Sequence, residues 1–382
     1  MNGPVRGGGG PVVITGLAAV SALGRGTAPL LAGVLAGTPA FAPVRRFDVA
    51  RRRVGVAAAL PGTPSLADEL AGVVDTACDE ASLAGPARAG TTLLLAVHDD
   101  PDLARAPEAA RGGHGPGVLG AALAVRCGLA GAARVYTNAC VAASTAVADG
   151  AAMIAQGRAA RVVVAAGYLV DADQFALFDA GRALAVDGAV RPFSTGRGGL
   201  LLGDGVAAVV LESAGDARDR GTPALAELAG WGRAGDAYHV CQPRPDGAGL
   251  ARAISAALDR AGVTPADVGY INAHGSGTAY SDAAESAALH RALGPAASRV
   301  PVSSTKSVHG QALEASGLLE LVVTVLALRA GRLPVNAGYL GPDDDCPLDL
   351  VLDAPREASP RYALSLNAAF GGANTALLVG AA

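Results

Sequence analysis

Val135-Tyr136-Thr137-Asn138-Ala139-Cys140-Val141-Ala142-Ala143-Ser144 is the stretch on which the reading of this chain turns. A short apolar, β-branched run ends at a cysteine. A long segment of small residues then continues to about Gly157, with no proline and a single charge at Asp149. The pattern predicts a strand, a sharp turn, and a helix apolar around its whole circumference and therefore buried. A cysteine at such a junction sits near the helix N-terminus, where partial positive charge and free N–H groups favour the thiolate over the thiol. Two readings of Cys140 stay open at this point. It is either a small buried hydrophobe, as most free cysteines are, or a nucleophile.

The rest of the composition narrows the setting. The chain has 382 residues, half of them hydrophobic but only 4% aromatic, which suits helices packed closely onto sheets. The formal net charge of -4 and the scarcity of aromatic residues argue against a nucleic-acid partner. Five cysteines (Cys78, Cys127, Cys140, Cys241 and Cys346) are scattered without CxxC spacing, and the six histidines form no HxxxH pair. Neither a disulfide framework nor a metal site is expected, no cofactor is implied, and a reducing cytoplasm fits best. Gly7–Gly10 and Pro11 break the one stretch that resembles a signal peptide. No other uncharged apolar run reaches the roughly 18 residues that would span a bilayer.

Outward from the cysteine, the chain alternates between strand and helix signals. Residues 1–10 read as a flexible tail, Val12–Gly16 as a strand, residues 61–89 as helical and Thr91–Val97 as a strand. Residues 99–117, rich in Asp, Pro and Gly, read as a loop. Val162–Gly167 and Val206–Glu212 are further buried strands, and the polar, turn-rich Gly215–Pro223 marks a boundary. The rhythm then repeats: helix Ala251–Ala261, strand Val268–Ala273, helix Asp282–Leu293, strand Val300–Ser303, helix Ala312–Ala330, and closing strands Leu364–Asn367 and Thr375–Val379. This predicts an α/β chain with parallel sheets in two similar halves, 11–217 carrying the cysteine and 218–382 carrying a second cluster. Arg45, Arg46 and Arg51–Arg53 form the most basic patch, either solvated surface or a dock for an acidic partner.

That second cluster begins where the strand Val268–Ala273 runs into His274-Gly275-Ser276-Gly277-Thr278. The carboxyl end of a parallel strand is where α/β proteins place ligands. Asp282-Ala-Ala-Glu285 reads locally as a capping box with Asp282 as the cap. Ser303-Ser-Thr-Lys306-Ser-Val-His309-Gly310-Gln311 opens the apolar helix, and a buried Lys306 needs an acid, for which Glu285 is the candidate. Asn367-Ala-Ala-Phe370-Gly371-Gly372-Ala-Asn374 sets two glycines behind an aromatic ring, a backbone suited to presenting N–H donors.

Taken together and in this order, these stretches resemble the elongating β-ketoacyl synthases of type II fatty-acid and polyketide pathways. The likeness extends from Val13–Gly24 through Arg191-Pro-Phe193 and Leu202–Glu212 to Phe370–Asn374. It implies a thiolase-like fold, in which two βαβαβ halves form a layered α-β-α-β-α core. It also implies that Cys140 takes an acyl group from a carrier-protein thioester and that His274 holds the thioester carbonyl of a malonyl extender during decarboxylation. Ser276 and Thr278 would bind the pantetheine arm. Lys306 and Glu285 would form a buried ion pair with Asp282 beside it, and His309 would stand near the substrate. Phe178 and Phe370 would gate the cysteine, and the backbone N–H groups of Cys140 and Phe370 would form the oxyanion hole. The implied partners are an acyl carrier protein and a second subunit, in a homodimer or a heterodimer.

Two departures bear on function. Where the family has its second histidine, this chain has Gln311, whose amide donates a hydrogen bond but cannot be protonated. The stretch Thr91–Asp100 lacks the glycine-rich signature expected after its strand, and the loop that follows is short. The expected activity is a β-ketoacyl synthase-type acyltransferase catalysing decarboxylative Claisen condensation. The alternatives are a non-decarboxylating acyltransferase on the same fold and a chain-length-factor-like partner subunit.

Overall fold

The computed structural model describes residues 10–99 and 115–382. The proposed tail at 1–10 and the loop at 99–117 therefore lie almost wholly outside the described residues. Five strands come from each half. In the first half they are β1 (Val12–Ser21), β2 (Thr92–Val97), β3 (Ala130–Tyr136), β4 (Arg161–Tyr168) and β5 (Gly205–Ser213). In the second they are β6 (Ala226–Gly235), β7 (Val268–Asn272), β8 (Pro301–Ser303), β9 (Tyr362–Ala369) and β10 (Ala373–Ala381). With two short strands they make one 12-stranded sheet, in which β1 and β6 meet at the centre through Val13↔Glu227 and Ile14↔Ala226.

From that central pair the order runs β1-β5-β4-β2-β3 one way and β6-β10-β9-β7-β8 the other. Each half thus sets its first, fifth, fourth, second and third strands side by side. The duplication expected from the rhythm of the chain is present as topology. The pairing differs from the all-parallel expectation. β2 is parallel to β3 and β4, and β7 is parallel to β8 and β9, but β5 and β10 run antiparallel to both of their neighbours. These antiparallel strands close each half onto the centre.

The helices that frame the sheet and the site include α1 (Leu66–Glu80), α2 (Pro116–Arg126), α3 (Ala142–Ala155), α4 (Ala172–Ala180), α5 (Ala248–Ala261), α6 (Ala279–Leu293) and α7 (Ser316–Ala330). α1 and α2 cover the first half, and α5 and α6 cover the second. α3 and α7 pack against each other and against strands of both halves, completing five layers. Their small residues permit the close approach. A Cβ on Gly317 would lie 2.6 Å from the Ser144 hydroxyl and 2.8 Å from Asn367 Oδ1. The helix expected from Ala312 begins at Ser316, because a 3₁₀ turn at Leu313–Ala315, with Leu313 at φ 42°, occupies the first residues.

Candidate active site

Cys140 stands where the sequence placed it, in a 3₁₀ turn (Ala139–Val141) between β3 and α3. Ala139 takes φ 53°, the left-handed region that a non-glycine residue adopts at a cost of about 1–2 kcal/mol. The sharp bend turns the thiol toward the loops of the second half. The expectation of a favoured thiolate is corrected. Burial, and next the negative charge of Glu314, push the Cys140 thiol up to about 12 against the opposing pull of Lys306. Desolvation of the sulfur outweighs the helix N-terminus, so the resting group is a thiol.

Gln311 meets the sulfur directly, with its Nε2 donating to Cys140 Sγ at 3.3 Å. The amide is fixed from behind, because the Ser316 hydroxyl donates to Gln311 Oε1 at 2.5 Å while accepting from the Ala312 N–H at 2.9 Å. Its backbone is bridged to the 201–203 strip, since Gln311 N–H donates to Leu201 and Gly203 N–H donates back. The amide N–H is therefore held on the nucleophile. His309 is placed otherwise than the resemblance implied. Its ring is fully buried, with Nδ1 2.8 Å from the Gly310 carbonyl and Nε2 3.0 Å from the Thr305 hydroxyl. Both ring nitrogens are occupied within their own turn, and burial pushes its pKa down to about 3. It is a neutral core histidine.

His274 follows the carboxyl end of β7, and its backbone is gripped on both sides. Its N–H donates to Glu285 Oε1 at 2.8 Å, and its carbonyl accepts from Lys306 Nζ at 2.7 Å. The ring is buried, Nδ1 has no hydrogen-bond partner among the described residues, and burial together with Lys306 holds the imidazole well below its usual range. It is neutral, with one N–H left to donate.

The ion pair differs from expectation. Lys306 Nζ lies 2.5 Å from Glu320 Oε1 on α7, with the two side chains 1% and 0% exposed. Glu285 instead accepts the N–H groups of His274 and Gly275, and burial pushes its carboxyl up to about 7. It shapes the histidine loop, and Glu320 takes the lysine. Glu320 Oε2 accepts from Asn367 Nδ2 at 2.6 Å, and Asn367 Oδ1 accepts from the Ser144 hydroxyl at 3.1 Å. One buried polar chain thus links the nucleophile helix, strand β9, helix α7 and the histidine loop. The sequence reading missed Glu320, Asn367 and Ser316. The available signal was Glu320, a lone carboxylate amid Leu and Val in an otherwise apolar helix.

Asp282 is not a helix cap either. The cap position of α6 is Thr278, and Asp282 lies one turn in, fully buried, accepting from the N–H groups of Phe193 at 2.9 Å and Gly277 at 3.1 Å. It fastens Phe193, itself at φ 59°, to the glycine-rich loop. The Ser276 and Thr278 hydroxyls lie 2.9 Å apart beside it. Phe178 on α4 and Phe370 in the β9–β10 turn stack with ring centroids 6.0 Å apart. Phe178 is buried and Phe370 is 53% exposed. In the turn Gly371 and Gly372 take φ 84° and 75°, and a Cβ on Gly372 would meet Asp236 Cβ at 2.9 Å. In the basic patch, Arg46 turns inward to bind both oxygens of the buried Asp204, whereas Arg45, Arg51, Arg52 and Arg53 are exposed. A buried carboxylate requires a partner, and Arg46 supplies it.

Comparison with known proteins places these residues in context. Residues 81–217 match the family model described as β-ketoacyl synthase, N-terminal domain, and residues 225–339 match the C-terminal domain of the same family. The chain is 41% identical over 263 residues to the tetracenomycin polyketide synthase ketoacyl synthase alpha subunit of Streptomyces glaucescens, covering 67% of this chain and 62% of that protein. It is 40% identical over 205 residues to 3-oxoacyl-(acyl-carrier-protein) synthase 2 of Staphylococcus aureus, covering 53% of this chain and 51% of the relative. The matched stretch thus spans between half and two thirds of these curated relatives. Among solved structures, the ishigamide ketosynthase/chain length factor is similar with a TM-score of 0.89 and 28% identity, over 98% of this chain and 100% of that one. The architecture is thiolase-like.

Proposed function

From a chain that belongs to the β-ketoacyl synthase family, we propose a carrier-protein-dependent ketosynthase in which Cys140 is the acyl acceptor and Gln311 works with His274 on the extender. The observation that carries this reading is the contact of Gln311 Nε2 with Cys140 Sγ, locked by Ser316. A hydrogen bond donated to sulfur stabilises the thiolate as it forms, offsetting part of the desolvation that holds the resting group as a thiol. In the first half-reaction the sulfur attacks the thioester carbonyl of an acyl carrier protein, the carbon–sulfur bond to pantetheine breaks, and the carrier leaves as its thiol. In the second, a malonyl thioester loses carbon dioxide, and the resulting enolate carbon attacks the acyl carbon and expels Cys140 sulfur.

The enolate oxygen needs donors. Neutral His274 offers one N–H, and the second amide hydrogen of Gln311 offers another, so neither group requires protonation. The backbone N–H groups of Cys140 and Phe370 would serve the tetrahedral oxyanion of the acylation step. The stacked Phe178 and Phe370 pair would open to admit the chain, with Ser276 and Thr278 along the pantetheine path. A carrier protein and a second ketosynthase-like subunit are the proposed partners, in keeping with the alpha-subunit and chain-length-factor names among the relatives. A reducing cytoplasm is the proposed location, supported by five cysteines none of which is disulfide-bonded. Among the described residues no helix is long and apolar enough to cross a membrane.

Intact-mass measurement after incubation with an acyl-carrier thioester tests the reading. One acyl group should add to the protein, and Cys140→Ala should add none. Loading that survives in the alanine variant would overturn it.

A further inference from the structure

What Gln311 can do depends on which way its amide faces. The group presents N–H donors on one side and a carbonyl acceptor on the other, and a half-turn about one bond exchanges them. With Nε2 toward Cys140 Sγ, at 3.3 Å, the amide stabilises a thiolate. With Oε1 in that place it would hold the thiol, repel the thiolate and turn lone pairs toward an enolate oxygen. The choice is made five residues further on. Ser316 is fully buried, and its Oγ accepts the Ala312 N–H at 2.9 Å while lying 2.5 Å from Gln311 Oε1. Among the described residues, Gln311 Oε1 is the acceptor for the Ser316 proton. A reversed amide would set a second N–H donor against this oxygen and leave that proton buried without an acceptor.

Regular structure would not make this contact. Helical side chains that face each other are three or four residues apart, not five. Here the 3₁₀ turn Leu313–Ala315 opens on Leu313 at φ 42°, a left-handed conformation uncommon for a bulky residue, and it brings Ser316 back to Gln311. Strain of this kind persists where the surrounding structure over-determines it, and it gathers at functional sites. On the other side the Gln311 backbone is bonded to Leu201 and Gly203, and the two backbones run so close that a Cβ on Gly310 would lie 2.9 Å from the Gly203 nitrogen. The side chain thus extends from a fixed backbone and is held at its tip by one hydroxyl. We propose that Ser316 is a positioning residue that keeps the Gln311 N–H toward Cys140 and thereby sets the rate at which the sulfur is acylated. This rests on the acyl-transfer reading, and it gives Ser316 its effect only by way of the amide.

The test follows Cys140 in the full chain by two routes. One is loading from an acyl-pantetheine thioester, read by intact mass. The other is alkylation by iodoacetamide, read at the Cys140 peptide, which requires no acyl transfer. Ser316→Ala should slow both by about tenfold at fixed pH, the effect of one hydrogen bond to a charged group. The loss should fall on the maximal loading rate, with the thioester concentration for half-maximal rate unchanged. Ser316→Thr keeps the hydroxyl and should restore most of the rate, which a purely packing role would not allow. In a Gln311→Ala background there is no amide to orient, so Ser316→Ala should change either rate by no more than about twofold, the scatter between unconnected sites. If the Ala312 N–H left bare merely loosens the turn, both backgrounds should slow alike, and that result would overturn the proposal. Loading and alkylation of Ser316→Ala at the parent rate would also overturn it and leave acyl transfer standing. A parent protein that loads no thioester, yet whose alkylation slows on Ser316→Ala only while Gln311 is present, would uphold the positioning role and remove acyl transfer.

Discussion

Replacing Glu320 with alanine should unfold this protein at a markedly lower temperature and should do so through Lys306. The carboxylate forms an ion pair with Lys306 Nζ at 2.5 Å and accepts from Asn367 Nδ2 at 2.6 Å, and neither the lysine nor the glutamate side chain is more than 1% exposed. Its removal leaves an ammonium with the His274 carbonyl at 2.7 Å as its remaining acceptor. Losing one partner of a buried pair costs about 3–5 kcal/mol, and the orphaned Asn367 amide adds about 1–3 kcal/mol. These neighbouring contributions do not add fully, so about 5 kcal/mol is expected. At about 1.2 °C per kcal/mol for a chain of this size, the melting temperature should fall by roughly 6 °C in differential scanning calorimetry. Glu320→Leu combined with Lys306→Met should recover much of that loss, because an apolar pair leaves no uncompensated charge. A double-mutant cycle decides the partner. Coupling of Lys306 to Glu285 equal to or greater than its coupling to Glu320 would refute the reasoning, as would a Glu320→Ala protein that melts within about 1 °C of the parent.

Other outcomes follow from the same geometry. Gln311→Ala should reduce decarboxylation of a malonyl carrier thioester more than acyl loading, since the amide serves the extender as well as the sulfur; carbon dioxide release and intact mass measure the two separately. Gly317→Ala would place a methyl group 2.6 Å from the Ser144 hydroxyl, so it should force α3 and α7 apart, destabilise the protein by about 1–3 kcal/mol in urea titration, and slow acyl loading. The Glu314 carboxylate raises the His98 pKa above its ordinary 6.5. The charged ring is therefore favoured in the folded state, and its stabilisation is present below 6.5 and lost as pH rises through the raised value. An NMR titration should show His98 titrating high, and Glu314→Gln should return it toward 6.5.

The legible part of this chain was what neighbouring residues decide among themselves. The β-branched run ending at Cys140 and the small residues after it gave the strand–turn–helix junction, because burial of such a helix leaves little choice. The repeated strand and helix rhythm gave two halves, although the equivalence became plain only as strand order, since no residue pattern is shared. What was misread depends on contacts distant in sequence. Asp282 and Glu285 carry the spacing of a capping box, yet tertiary N–H donors at Phe193, Gly277, His274 and Gly275 claim both carboxylates. Lys306 was paired with Glu285, the acid of the neighbouring motif, whereas the inward face of α7 carries Glu320. The thiol of Cys140 was judged from the helix end alone, and complete desolvation reversed the balance. His98 and Glu314 are joined by folding alone, and nothing local to either residue announced the pair.

The most direct test of the account is a single turnover. Protein loaded at Cys140 with a labelled acyl group is mixed with malonyl carrier protein, and the released carbon dioxide and the carrier-bound product are measured together. The account predicts one equivalent of carbon dioxide and one of a β-ketoacyl carrier thioester two carbons longer, with Cys140 returned to the free thiol. Acylated protein that persists through the mixing, or that gives up its acyl group with no carbon dioxide and no lengthened product, would contradict it.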